Sequence, residues 1–168
     1  SGRFRTHLSW TGIICSARNR NIRGTMALLR HTTHHFNLSF FYAPRGPIFR
    51  DGDYATLEAL VDAMRALGAK SVVITSAVVD GTNAVIGYDH VAGEYFTIPF
   101  DLIPVYFPGT GDTFSAVLVG RVMAGWSLQH ATADAMRVVA ELIERNADQA
   151  DKSAGLPIEA CLDVIDHE

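Results

Sequence analysis

The sequence predicts an α/β fold, a mostly parallel β-sheet flanked by helices, and three stretches predict it. The first is an amphipathic helical pattern from Asp53. A glycine turn follows it, then the short β-branched run Ser71-Val72-Val73-Ile74-Thr75-Ser76. Such a continuous apolar run reads as a strand covered on both faces, the habit of parallel sheets. The second is the apolar run Leu102–Phe107, which delivers the chain to Gly109-Thr110-Gly111 and a helix pattern directly after it. The third is a long amphipathic helix with Ala131, Ala135, Val138, Val139, Leu142 and Ile143 on one face.

Residues 1–50 stand apart. They hold eight arginines and no aspartate or glutamate, whereas residues 51–168 hold all 18 acids against six Lys/Arg, so a net charge of −4 conceals segments of +8 and −12. A basic, acid-free stretch suits a nucleic-acid arm, a leader or a rearranged segment. Trp10, Ile13, Ile14, Leu28, Leu29 and Phe40-Phe41-Tyr42 make it too apolar for a simple solvated tail. Thr25–Arg30 reads as a short helix and Asn37–Tyr42 as a strand. His31, His34 and His35 have the spacing of one helical face, a possible metal geometry. Thr32 and Thr33 disfavour a helix there, and a solvated polar turn is the simpler reading. Pro44, Gly46 and Pro47 mark a loop, and the domain organisation expected is 1–50 as one segment and 51–168 as the readable domain.

From Asp53, a candidate N-cap, Leu57, Leu60, Val61, Met64 and Leu67 form one apolar face, and Gly68 reads as the stop. The strand at 71–76 ends on Thr75 and Ser76, a hydroxyl pair at a strand's carboxyl end, where α/β sheets gather ligands; a Ser/Thr turn is the plainer alternative. Asn83–Asp89 and Glu94–Pro99 read as an antiparallel hairpin around His90-Val91-Ala92-Gly93, with His90 a solvated turn residue. Leu102–Phe107 reads as core packing, or as one wall of an adenine pocket. Phe114, Val117, Leu118 and Val122 form the apolar face of the next helix, with Gly125 its stop and Ser127 the following N-cap. Asp134, Arg137, Glu141, Glu144 and Arg145 read as a solvated outer face. Asp148–Gly155 is a polar loop, and a closing helix from Leu156 to Asp166 begins near Pro157.

At 168 residues the chain is long enough for one domain with a core, and 48% apolar with 19% charged residues is an ordinary globular balance. No apolar run reaches the roughly 18 residues of a membrane-spanning helix. Cys15 and Cys161 form no CxxC pair, which argues against a zinc site or a disulfide framework and suits a reducing compartment.

The chemistry concentrates at Phe107-Pro108-Gly109-Thr110-Gly111-Asp112. A glycine turn entering a helix leaves backbone N–H groups unpaired and pointing one way, and with the helix dipole they favour an anion, most naturally a phosphate. Asp112 beside such a phosphate can accept a proton from an attacking hydroxyl. The plain alternative makes Asp112 a helix cap and the glycines a turn.

The longer run FPGTGDTFSAVLVGRVMAG resembles the anion-hole motif of ribokinase-like kinases, most closely the pyridoxal/pyridoxamine (vitamin B6) kinase branch. The resemblance runs from about Asp53 onward. It implies a three-layer ribokinase-like fold, an anion hole of Gly109, Thr110 and Gly111, and Asp112 as catalytic base. Hydroxymethylpyrimidine kinases usually carry cysteine at the position of Asp112, which favours the B6 branch. The resemblance also places Thr75 and Ser76 against ATP, and implies Mg²⁺, a B6 vitamer as acceptor, a homodimer and a cytoplasmic location. The family's Asp-Pro and Thr-Pro-Asn-x-x-Glu segments have no counterpart in residues 1–52. The kinase domain is therefore expected to be truncated on its N-terminal side, with an exposed sheet edge prone to association and little activity in the chain alone. Two rivals follow: a non-catalytic nucleotide- or phosphate-binding remnant, and a nucleic-acid-binding module built on the arginines and aromatics of residues 1–50.

Overall fold

The computed structural model describes residues 7–16, 22–33, 38–42, 48–49, 61–62, 65–66 and 69–166; among them strands dominate up to Pro99 and helices after it. The chain divides into two compact units, Ser1–Thr97 and Ile98–Glu168.

The first unit begins with a four-stranded sheet described by its backbone: β1 (His7–Ser16), β2 (Ile22–Thr33), β3 (Leu38–Tyr42) and β4 (Ile48–Phe49). β2 is central, with β1 antiparallel on one side and β3 and β4 antiparallel to it at its two ends. The strand expected at Asn37–Tyr42 is β3. Thr25–Arg30 is not helical: it lies inside β2, paired from Thr25↔Ile14 to Arg30↔Ser9. Long cross-strand pairing outweighs the weak helix preference of so short a stretch. His31 is likewise in β2, so the helical face proposed for the histidines does not form around it; His34 and His35 lie outside the described residues.

Of the helix expected from Asp53, Val61, Asp62, Arg65 and Ala66 are described and helical, with Val61 fully buried. Asp53, Leu57, Leu60, Met64, Leu67 and Gly68 lie outside the described residues. Arg65 stacks its guanidinium 3.6 Å over the Tyr88 ring, and Tyr95 donates its hydroxyl to Asp62 at 2.6 Å.

β5 (Val72–Val79), β6 (Thr82–Asp89) and β7 (Glu94–Pro99) make a three-stranded sheet in that order. This corrects the expectation of a parallel sheet, because β5 and β6 pair antiparallel. The physical reason is the two-residue turn between them. Asp80 and Gly81 have φ of 50° and 79°, the left-handed pair of a type I′ hairpin turn, for which Asp-Gly is a preferred sequence. β5 therefore runs on to Val79 rather than ending at Ser76, and it is buried on one face instead of two: Val72, Ile74 and Ala77 are inside, Thr75, Ser76 and Val78 outside. The strand covered on both faces is the central one, β6, buried from Ala84 to Asp89. There Gly87 seats the Phe96 ring of β7; a Cβ on Gly87 would lie 2.3 Å from Phe96 Cζ and 2.7 Å from the Val72 carbonyl oxygen.

The hairpin expected at 90–93 forms. Asp89 accepts from the Val91 and Ala92 amides at 2.9 and 3.3 Å, and Gly93, at φ 75°, donates to the Asp89 carbonyl. His90 is exposed, as expected of a turn residue.

The second unit is helical. The run 102–107 is irregular, and only Phe107 is buried; Leu102 and Tyr106 are 68% and 79% exposed, so the core role expected of the whole run falls to one residue. α1 (Thr110–Met123) ends in a Schellman motif: Gly125, at φ 93°, donates to Val122 and Trp126 donates to Arg121. Ser127 caps α2 (Leu128–Arg145) by accepting from the His130 amide. Val117 of α1 packs with Ala135, Val138 and Leu142 of α2 and with Cys161 and Val164. Full burial of a valine or leucine side chain contributes about 1.5–3 kcal/mol.

Two expectations change here. The closing segment Ile158–Val164 is a 3₁₀ helix kinked at Cys161 rather than an α-helix. The outer face of α2 is not merely solvated, because Asp134 is nearly buried and holds Arg121 and Arg137. Those arginines in turn donate to the carbonyls of Ile165 and Val164, and Arg145 bridges Glu141 and Asp163. These contacts fasten the 3₁₀ segment onto the helix pair.

Candidate functional site

Gly109 is the N-cap of α1, with φ 84° and ψ 0°, and no side chain caps the helix start. An L residue avoids this left-handed conformation and glycine accepts it freely. The first intrahelical amide bond is Thr113 N–H to the Gly109 carbonyl at 2.9 Å, and the Thr113 hydroxyl donates to the same oxygen at 3.0 Å. The amides of Thr110, Gly111 and Asp112, ahead of that bond, have no acceptor within the helix. Asp112 stands at the third helical position, exposed, so it is not the cap. A carboxylate in the first turn is compatible with the helix dipole.

These residues form one wall of a cleft of about 370 Å³, lined by Pro108, Gly109, Asp112, Thr113 and Ala116 on the helix side. The opposite wall is Ala154, Gly155, Leu156 and Ile158. In the sequence Gly155 reads only as the end of the polar loop 148–155. The available signal was the Ala-Gly-Leu-Pro turn at 154–157, whose glycine has φ 83°. Asp151 shapes this loop. The Ser153 hydroxyl and amide hold its carboxyl below the ordinary carboxylate value, the amide at 2.8 Å. Lys152 donates to the Gln149 carbonyl at 2.7 Å and lies 5.8 Å from the centre of the Phe107 ring.

The structure thus brings Gly109, Thr110, Gly111 and Asp112 together at the helix start. Thr75 and Ser76 belong to the first unit. Both are exposed and form a β-bulge in mid-strand: together they oppose Val85 between the pairs Ile74↔Ile86 and Ala77↔Ala84, and Ser76 has φ 59°. Among the described residues no group of three or more His, Cys, Asp or Glu side chains is arranged to hold a metal, and no helix is long and apolar enough to cross a membrane.

No family model and no curated protein matches the chain. Solved structures do. A protein of Bacteroides thetaiotaomicron, assigned as a candidate phosphomethylpyrimidine kinase, aligns with 70% of this chain at 28% identity and a TM-score of 0.64. A second crystal form of it, with pyridoxal, gives 27% and 0.62. Pyridoxal kinase from Lactobacillus plantarum aligns with 65% of the chain at 25% identity and a TM-score of 0.55. The structural neighbours are pyridoxal and phosphomethylpyrimidine kinases of the ribokinase-like superfamily. The match covers the C-terminal part of the chain, where the glycine turn and Asp112 lie. Pyridoxal kinase from Entamoeba histolytica, at 19% identity and a TM-score of 0.56, shares the fold. The chain spans 40–42% of the length of these ribokinase-like structures. Both branch names, phosphomethylpyrimidine kinase and pyridoxal kinase, occur among the neighbours.

Proposed function

We propose that the chain carries the phosphoryl-transfer end of a kinase that phosphorylates the 5′-hydroxymethyl group of pyridoxal or a related B6 vitamer with ATP. The observation that supports it is the helix start: a left-handed glycine opens α1 and leaves the Thr110–Asp112 amides without helical partners, with Asp112 on the wall of the same cleft. In this reading the alcohol oxygen attacks the γ-phosphorus, the bond to ADP breaks, and the alcohol proton passes to the Asp112 carboxylate. The amides of Gly109, Thr110 and Gly111 and the helix dipole stabilise charge on the moving phosphoryl group. Thr75 and Ser76 are assigned to the nucleotide by resemblance. Mg²⁺ is the metal the family implies, and it would neutralise phosphate charge. Among the described residues Asp112 is the sole carboxylate lining the cleft, and in this reading it serves as the base, so these residues do not make a magnesium site.

Pyridoxal and Mg-ATP, supplied to the protein and to its Asp112→Asn variant, test the reading. Formation of pyridoxal phosphate that Asp112→Asn loses is expected; equal turnover removes Asp112 from the mechanism.

A second reading is a nucleotide- or phosphate-binding remnant without catalysis, supported by the Thr110–Asp112 amides at the helix start, which need no reacting group beside them to hold a phosphate. Calorimetry on the 168-residue chain separates the two. A remnant binds ATP and ignores pyridoxal, and measurable pyridoxal binding counts against it.

A further inference from the structure

Gly155 closes a turn by donating its N–H to the Lys152 carbonyl at 3.1 Å, and its φ is 83°. It stands in the cleft wall opposite Asp112's helix, and a Cβ placed on it would lie 3.0 Å from the Pro108 carbonyl oxygen and 3.9 Å from the carbonyl carbon. That oxygen belongs to the peptide whose nitrogen is Gly109's. The described peptides are all trans, and in a trans peptide C=O and N–H point in opposite directions. A Pro108 carbonyl turned to Gly155 therefore sends the Gly109 N–H away from the 152–155 turn. The Gly109 dihedrals of 84° and 0° carry that setting into the first turn of α1.

We propose that Gly155 is a positioning residue for the anion-binding turn: having no side chain, it lets the 152–155 turn seat against the Pro108 carbonyl and so fixes the direction of the Gly109–Asp112 amides. The proposal rests on the anion-hole reading for its functional consequence, but not for its geometry. Leu156 and Ile158 supply apolar surface on the same wall; Gly155 is where that wall meets the backbone of the other. Any Cβ at 155 must push the Pro108 peptide by a few tenths of an ångström, because the neighbour is backbone and has no rotamer to change.

The test uses Gly155→Asn and Gly155→Ala beside Gly125→Ala in the 168-residue chain. Asparagine tolerates a left-handed backbone better than other L residues, so Gly155→Asn keeps the turn while adding the Cβ. Gly125, at φ 93° with open space where its Cβ would go, reports backbone strain at the far end of α1 without touching the cleft. Two quantities are read: the amide resonances of Gly109–Asp112, and ATP affinity by calorimetry. The expected result is displaced Gly109–Asp112 resonances in both Gly155 variants and not in Gly125→Ala. ATP affinity should fall on the order of tenfold in the Gly155 variants alone, about the loss of one charge-assisted hydrogen bond. Unmoved resonances in folded Gly155→Asn overturn the proposal, as does unchanged ATP affinity despite moved resonances. If the unmutated chain ignores ATP, the anion-hole reading is lost, and the resonances alone decide whether Gly155 sets the turn.

Discussion

Arg121 of α1 reaches across to Asp134 of α2, its Nε donating to Oδ2 at 2.7 Å, although the two residues are 13 positions apart. Arg137 takes the other carboxylate oxygen at 2.8 Å, and the Asp134 side chain is only 12% exposed. Both arginines go on to main-chain carbonyls of the closing segment. One carboxylate therefore organises two cations, and through them the end of the second unit.

Asp134→Asn should destabilise the second unit by about 1–3 kcal/mol, since it takes from Arg121 its carboxylate partner and leaves Arg137 with that of Glu141. Burial alone would push the Asp134 carboxyl up; hydrogen bonds from Arg121 and Arg137 more than reverse that and hold it below its ordinary value. A depressed folded-state value means that this stabilisation is complete above the unfolded value, about pH 3.9. It disappears as pH falls through the lower folded value. Denaturant titrations between pH 3 and 7 should show the parent losing stability at the acid end, with the variant flatter there. Parallel curves would show that Asp134 is not the titrating group.

Gly87→Ala should cost about 1–3 kcal/mol, because the new methyl overlaps both the Phe96 ring and the Val72 carbonyl. The ring can rotate, but the carbonyl cannot leave without shifting β5. A urea midpoint equal to the parent's would mean that the sheet gives way more easily than this geometry allows.

Asp112→Asn should lower kcat by about 10²–10⁴-fold, the usual contribution of a general base, while ATP binds as well or better. In the proposed site the carboxylate would repel the phosphate in the ground state, so its neutral isostere would remove a like-charge penalty. A proportional loss of ATP affinity would instead make Asp112 a binding residue.

Ser76→Gly separates fold from ligand contact. Relief of a left-handed serine is worth about 1–2 kcal/mol, and the extra chain entropy of glycine offsets about 0.5–1 kcal/mol. Thermal unfolding should show a small gain in stability, on the order of 0.5 kcal/mol. If the hydroxyl contacts nucleotide as the resemblance implies, ATP affinity falls in the same variant. Affinity that stays constant would release Ser76 from that role.

The parts of the molecule legible in the sequence were those decided by neighbouring residues. Ser127, Gly125 and the 90–93 turn are local choices, and each forms as the residue types require. Asp80-Gly81 is an equally local turn signal, whereas the β-branched run before it reads by composition as a strand buried on both faces. In fact the apolar run marks an outer strand with one covered face, and the covered strand carries Gly87 and Asp89 among its buried positions. The candidate site was half visible. The glycine turn and Asp112 are contiguous, whereas Gly155 meets Pro108 only through the folding of α1 and α2 between them. Arg121–Asp134 was hidden for the same reason: a charged pair on two helices leaves no period in the sequence.

The bulge in β5 is a one-residue surplus. Two residues, Thr75 and Ser76, face one on β6, and the buried positions change from even to odd numbers, Val72 and Ile74 before the bulge and Ala77 after it. If Ser76 were removed, Thr75 would fall opposite Val85, Ala77 would keep Ala84, and every inward side chain would still point inward. The sheet's pairing and its covered face can thus be written with one residue fewer. What the additional residue alters is the local twist and the aim of two hydroxyl groups at the exposed surface, so its length is set by that surface and not by the ladder beneath it.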